Sequence, residues 1–148
     1  ISGPMHNVMK KGKGGGAGSL TTSALAIGAA ESSLRHLKHE AASRPDLIEI
    51  CEPLDHERLS ILADLLDSAR GGSDQQNPSL TAESIRQKAN SLVLRTSQAY
   101  LAASKGAGFA DGHPAGRAVR EAMFFLVWSC PQPVLTAALR EFACLVDG

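Results

Sequence analysis

Aromatic residues are scarce in this sequence, 4% of 148 positions, and β-branched residues are few. A pleated sheet is built from both, so their shortage points to helix, as does the abundance of Ala and Leu. Excess charge is also missing: Lys and Arg number 15 and Asp and Glu 15. That balance argues against a general nucleic-acid or membrane-surface partner. The longest apolar run, residues 123–128, is far short of the roughly 20 residues that a membrane-crossing helix needs. Nothing near the N-terminus has the apolar core of a secretion signal. The three cysteines, Cys51, Cys130 and Cys144, form no Cys-x-x-Cys pair. An odd, unclustered set suggests reduced thiols and a cytoplasmic protein. The length is that of one domain. Because the sequence opens on Ile1, the expectation is a piece of a longer chain.

Residues 1–18 hold the stretch HNVMKKGKGGGAG. Glycine at that density disfavours any regular element, so these residues are expected to be a linker or the remnant of an upstream domain. Residues 19–148 are expected to form one helical domain. Periodicity predicts a first helix over about 19–43, N-capped by Ser19, with Leu20, Ile27, Ala30, Leu34, Leu37 and Ala41 inward. Arg44-Pro45 ends it, because a residue before proline avoids the helical region. Residues 46–53 read as a connection. A second helix is expected over 54–70, with Leu62, Leu65, Leu66 and Ala69 inward, then a polar turn cluster over 71–79. A third covers 80–104, with Ile85, Ala89, Leu92, Ala99 and Ala103 inward. A fourth starts at His113-Pro114 and runs to Trp128; its apolar end suggests burial on several sides. Cys130 lies in a turn bounded by Pro131 and Pro133, and a fifth, short helix covers 134–146 with Leu135, Ala138, Leu139 and Phe142 inward. The fold class expected is all-α, an antiparallel up-and-down bundle of four long helices and a short C-terminal one.

Few residue constellations suggest chemistry. The glycines at 12–18 precede a helix, as phosphate loops do. The order is wrong for a P-loop, since Lys13 is followed by glycine rather than Ser or Thr, and a linker is the simpler reading. His36 and His39 stand three apart beside Glu40 without any His-Glu-x-x-His pattern, which favours solvated helix surface over a metal site. Cys130 has no local base, so it reads as a structural thiol. Arg117 and Arg120 lie three apart on the fourth helix. They suit phosphate or carboxylate recognition, or an ion pair with Glu121, and the sequence leaves both open.

One ordered series of motifs carries more. Lys105-Gly106-Ala107-Gly108-Phe109, then His113-Pro114, then Arg120-Glu121-Ala122, then Trp128-Ser129-Cys130-Pro131 resembles the C-terminal helical domain of the acyl-CoA dehydrogenase family. There a Gly-Gly-x-Gly-Tyr turn, Tyr-Pro, an Arg-Asp-Ala helix and Tyr-Glu-Gly-Thr follow one another at this spacing. The segment Ser23-Ala24-Leu25-Ala26-Ile27-Gly28 is similar to the small-residue opening of the same domain, so the resemblance spans nearly the whole chain from Gly16.

The resemblance implies an FAD-dependent oxidoreductase that acts on the CH–CH bond of an acyl-CoA thioester, assembled as a homodimer or homotetramer. It implies that Arg44 approaches the FAD pyrophosphate and that Gly106 and Gly108 let backbone approach the cofactor of a neighbouring subunit. It puts Ser129 where the family has its catalytic glutamate, and a serine hydroxyl does not replace an anionic base. Members that carry the glutamate early in their first C-terminal helix would have it near Gly18. The family's substrate-contact Asp-x-x-Arg falls on Gly16 and Ser19, its Phe-Gly on Leu47-Ile48, the first glycine of its turn on Lys105, and the preceding glutamine on Ala102. Two functions follow from the resemblance: a domain of a divergent flavoenzyme, or a catalytically inactive relative that serves assembly or binding.

Overall fold

The structure is a computed structural model that describes residues 20–71 and 77–145. Every regular element among them is helical. Three helices of 22 residues, α1 (Leu20–Ala41), α2 (Ile48–Ala69) and α3 (Ala82–Ala103), are followed by two of 11, α4 (Pro114–Phe124) and α5 (Gln132–Phe142). Single 3-10 turns sit at Pro45–Leu47, Pro78–Leu80 and Lys105–Phe109. The expected glycine linker and the Ser19 cap lie outside the described residues.

α3 is the central helix, with buried residues along its whole length from Ile85 to Ala103. It can be approached closely because the facing stripe of α1 is built from small residues, Ser23, Ala26, Ala30 and Ser33, before it broadens to Leu34 and Leu37. The core has two parts. A larger one gathers Ile27, Ile61, Ile85, Leu92, Val93 and Leu126. A smaller one closes the far end with Leu34, Leu37, Leu47, Cys51 and Ala103. Ion pairs report helix direction. Lys38 meets Asp55 at 2.6 Å and Arg58 meets Glu31 at 3.7 Å, so α1 and α2 are antiparallel. Lys88 meets Asp64 at 3.0 Å and Arg95 reaches Glu57, so α2 and α3 are antiparallel too.

Local chemistry sets the ends. Arg44, held before a proline, takes φ −134° and ψ 85° and stops the first helix region. Thr81 N-caps α3 by accepting a hydrogen bond from Ser84 N at 3.1 Å. His113 caps α4 through Nδ1, which accepts from Ala115 N at 3.2 Å.

Four expectations differ from what is observed. Residues 48–53 are helical, not a connection. Pro53 lies inside α2 at an exposed position, where burial of Leu47 and Cys51 outweighs the lost backbone bond. There are three long helices rather than four, because α4 stops at Phe124 instead of Trp128. Side chains of α3 draw the chain out of the helix: the Phe125 carbonyl accepts from Arg86 Nη2 at 3.1 Å and Asn90 Nδ2 at 3.3 Å, and the Trp128 carbonyl accepts from Arg86 Nη2 at 3.4 Å. The apolar segment expected to end α4 is buried on one side only: Leu126 joins the core, while Met123, Phe124, Val127 and Trp128 are exposed. On α2 and α5 the inward stripe is narrower than its periodicity suggested, with Leu66, Leu139 and Phe142 exposed.

Candidate functional site

The residues that the sequence singles out fall at opposite ends of α3. At its C-terminal end, Arg44 turns back onto the bundle. Its Nη1 donates to the Ala103 carbonyl at 2.9 Å and its Nη2 to Asp46 Oδ2 at 3.4 Å. The guanidinium thus satisfies one of the carbonyls that a helix end leaves without a partner. With 30% of its side chain exposed, one edge remains open to solvent. Lys105 follows at φ 53°, a left-handed conformation that reverses the chain, and leads into the glycine turn. Gly106 and Gly108 differ in kind. A Cβ on Gly106 would meet nothing within 4 Å, whereas one on Gly108 would stand 2.7 Å from Leu101 Cδ1 and 3.2 Å from the Leu101 carbonyl. Gly108 is glycine because the turn packs directly on α3.

This turn and the first half of α4 border a cleft of about 570 Å³, lined by Leu101, Gly108, Asp111, Gly116, Arg117 and Arg120 among others. The two arginines behave differently. Arg117 Nε lies 3.4 Å from Glu121 Oε1. Arg120 has neither an ion pair nor a hydrogen bond among the described residues. Its Nη1 lies back along the helix, 3.7 Å from the point a Cβ on Gly116 would occupy. Sequence reasoning treated Arg117 and Arg120 alike; only the rotamers separate them.

At the other end of α3 stands Ser129. It is exposed, with φ 46°, in the turn that Arg86 and Asn90 hold. From Arg86 to Ala103 is nearly the length of α3, about 25 Å of helix axis, so Ser129 and the Arg44–Gly108 group belong to different ends of the molecule. Trp128, the residue before Ser129, helps to wall an apolar groove of about 360 Å³ with Leu25, Ala29, Phe124 and Phe125; Ser129 itself does not line it. Phe124 and Trp128 stack with centroids 5.4 Å apart. The carboxylate that lines this groove is Glu121, which sequence reasoning did not single out for chemistry.

Arg86, also missed, is fully buried. Its Nε donates to Asn90 Oδ1 at 3.1 Å, and no carboxylate reaches it among the described residues. Burial lowers its pKa, and neighbouring Cys130 offsets part of that. Burial likewise raises the Cys130 thiol more than Arg86 lowers it, which favours the neutral, structural form. Asn90 Nδ2 approaches Cys130 Sγ at 3.9 Å. His36 stacks on Tyr100 at 4.8 Å, with the rings 7° from parallel, rather than standing free with His39.

No family model, no curated protein and no solved structure matches the chain. No helix among the described residues is long and apolar enough to cross a membrane.

Proposed function

We propose that the chain is the C-terminal helical domain of an FAD-dependent, acyl-CoA dehydrogenase-like oxidoreductase of the cytoplasm, contributing FAD contacts and homodimer or homotetramer assembly. The observation that carries this reading is the apolar groove walled by Trp128, the residue before Ser129. A saturated acyl chain needs an apolar slot, and in the resembled family the reacting carbons lie next to the position that Ser129 occupies here. The residues present also suit part of a dinucleotide. Arg44 keeps one guanidinium edge open, and the space around Gly106 is free. FAD would supply the hydride acceptor; Arg44 would hold phosphates at this end, and Gly106 and Gly108 would let backbone approach an FAD that serves the groove of a neighbouring subunit, since this chain's own groove stands about 25 Å away along α3.

The proton-abstracting carboxylate is absent from position 129, and Glu121 is the carboxylate that the groove offers in its place. The test is the visible absorbance of the full-length protein purified without added cofactor. Flavin bands near one per chain are expected; a colourless protein that also fails to take up FAD contradicts the reading. Ser129→Glu sharpens the test. The position is exposed, so folding is expected to survive within about 0.5 kcal/mol. Gain of acyl-CoA oxidation in the full-length protein supports equivalence of the site, and loss of soluble protein counts against it.

A second reading, an inactive relative serving as an oligomerisation or binding module, is favoured by the exposed Phe124, Val127 and Trp128. Under it the protein self-associates without flavin. A monomer at high concentration in sedimentation excludes the assembly role.

A further inference from the structure

The cleft between the glycine turn and α4 has the chemistry of a phosphate site, and nothing in the flavin reading assigns a role to the two residues that shape it, Gly116 and Arg120. Arg120 contrasts with its neighbours. Arg35, Arg44, Arg58, Arg70, Arg95 and Arg117 each stand within ion-pair distance of a carboxylate, while Arg120 has no partner among the described residues. Arg120 is exposed and lies back toward Gly116, in keeping with the lean of helical side chains toward the N-terminus. A Cβ at Gly116 would stand 3.4 Å from the Gly108 carbonyl and 3.7 Å from Arg120 Nη1, so the absent side chain keeps the cleft open between the turn and the guanidinium. The volume, about 570 Å³, falls within the range of small-molecule sites. The walls are mixed: Leu101, Val119 and the exposed ring of Phe109 supply apolar surface, and the arginines supply planar donor forks. Asp111, also in the lining, opposes an anion, and Arg117 remains tied to Glu121.

The geometry points to a binding site for a small phosphate-bearing ligand in this cleft, with Arg120 as the residue that holds the phosphate. The cleft shares its Gly108 wall with the flavin reading, but the roles of Arg120 and Gly116 do not rest on that reading and persist in a protein that carries no flavin.

The experiment is calorimetric titration of the 148-residue chain with pyrophosphate and with ADP, using adenosine as the control. Both phosphate ligands are expected to saturate one site per chain, and adenosine is expected to give no saturable heat. Arg120→Gln weakens both phosphate ligands about ten- to a hundredfold, the loss of one charge-assisted contact, with an unchanged unfolding midpoint because the side chain has no intrachain partner. Asp111→Asn tightens both, an effect that a purely structural role for the cleft does not produce. ADP at least tenfold tighter than pyrophosphate marks a nucleotide as the ligand; equal affinities mark the phosphate alone, and either supports the site. No saturable binding at millimolar concentration, binding unchanged by Arg120→Gln, or adenosine binding as tightly as ADP overturns it. Failure of the flavin reading shows separately, as a colourless full-length protein.

Discussion

Arg86 and Arg120 both lack a carboxylate partner, and the molecule uses them in opposite ways. Arg86, at the start of α3, is fully buried; its Nε and Nη2 donate to Asn90 and to the Phe125 and Trp128 carbonyls, while Nη1 has no partner among the described residues. Arg120, near the far end of α3, is exposed in a cleft and bonded to nothing among the described residues. A buried cation has to be satisfied by fixed dipoles, and doing so fixes the shape of what surrounds it. An exposed cation pays no such desolvation cost and stays available. One end of the bundle is thus organised by a charge, and the other offers one.

The largest effect expected is from Arg86→Met. It leaves the Trp128 carbonyl and Asn90 Oδ1 without their donor and the Phe125 carbonyl with Asn90 Nδ2 alone, at a cost of about 2–4 kcal/mol after relief of the buried charge. Urea unfolding measures the loss. Emission from Trp128, the single tryptophan, reports whether the turn loosens before the helices melt. Stability within about 0.5 kcal/mol of the parent contradicts the organising role. The next effect separates two glycines at the other end. Gly108→Val forces the turn off Leu101 and costs about 1–3 kcal/mol as overpacking, whereas Gly106→Ala stays within about 0.5 kcal/mol. Equal effects in thermal unfolding would show that the turn does not pack on α3 as described.

The smallest effect concerns the Lys38–Asp55 contact, which joins α1 to α2 at the Arg44 end. The Asp55 carboxyl is held below its usual value, chiefly by the hydrogen bond from Lys38, with Arg58 helping and burial opposing. A depressed folded pKa means stability that is present above the unfolded value, near 4, and lost as pH falls through the folded one. Asp55→Asn should therefore lower the urea midpoint slightly at pH 7 and flatten its decline below about pH 4. A variant that declines with pH as the parent does removes Asp55 from the acid transition.

Much of the fold was legible because its signals are local. The α1 stripe Ile27, Ala30, Leu34, Leu37 and Ala41 is buried as its spacing implied, and α3 lies within two residues of its expected ends. Pro45 stopped α1 as a proline should, but the connection expected over 46–53 is helical from Ile48, since the hydrogen bond lost at Pro53 is outweighed by burial of Leu47 and Cys51, which periodicity from residue 54 onward did not weigh. The end of α4 was misjudged for a related reason. Its apolar residues implied burial, but the chain leaves the helix at Phe124 because Arg86, some forty residues earlier, takes its carbonyls. A long-range hydrogen bond of that kind has no signature in a local window. The site was legible as a set of positions and not as an arrangement: Arg44, Gly106 and Gly108 share one end, and Ser129 stands at the other. The difference between Arg117 and Arg120 lies in side-chain direction, on which sequence is silent.

The most direct test of a structural end and a ligand end is amide chemical-shift mapping of the 148-residue chain titrated with pyrophosphate. The account predicts shifts concentrated at Gly108, Gly116 and Arg120, with Arg86, Asn90 and Ser129 unmoved. Shifts centred on the Ser129 turn, or spread evenly over the lysines and arginines of the surface, would contradict it.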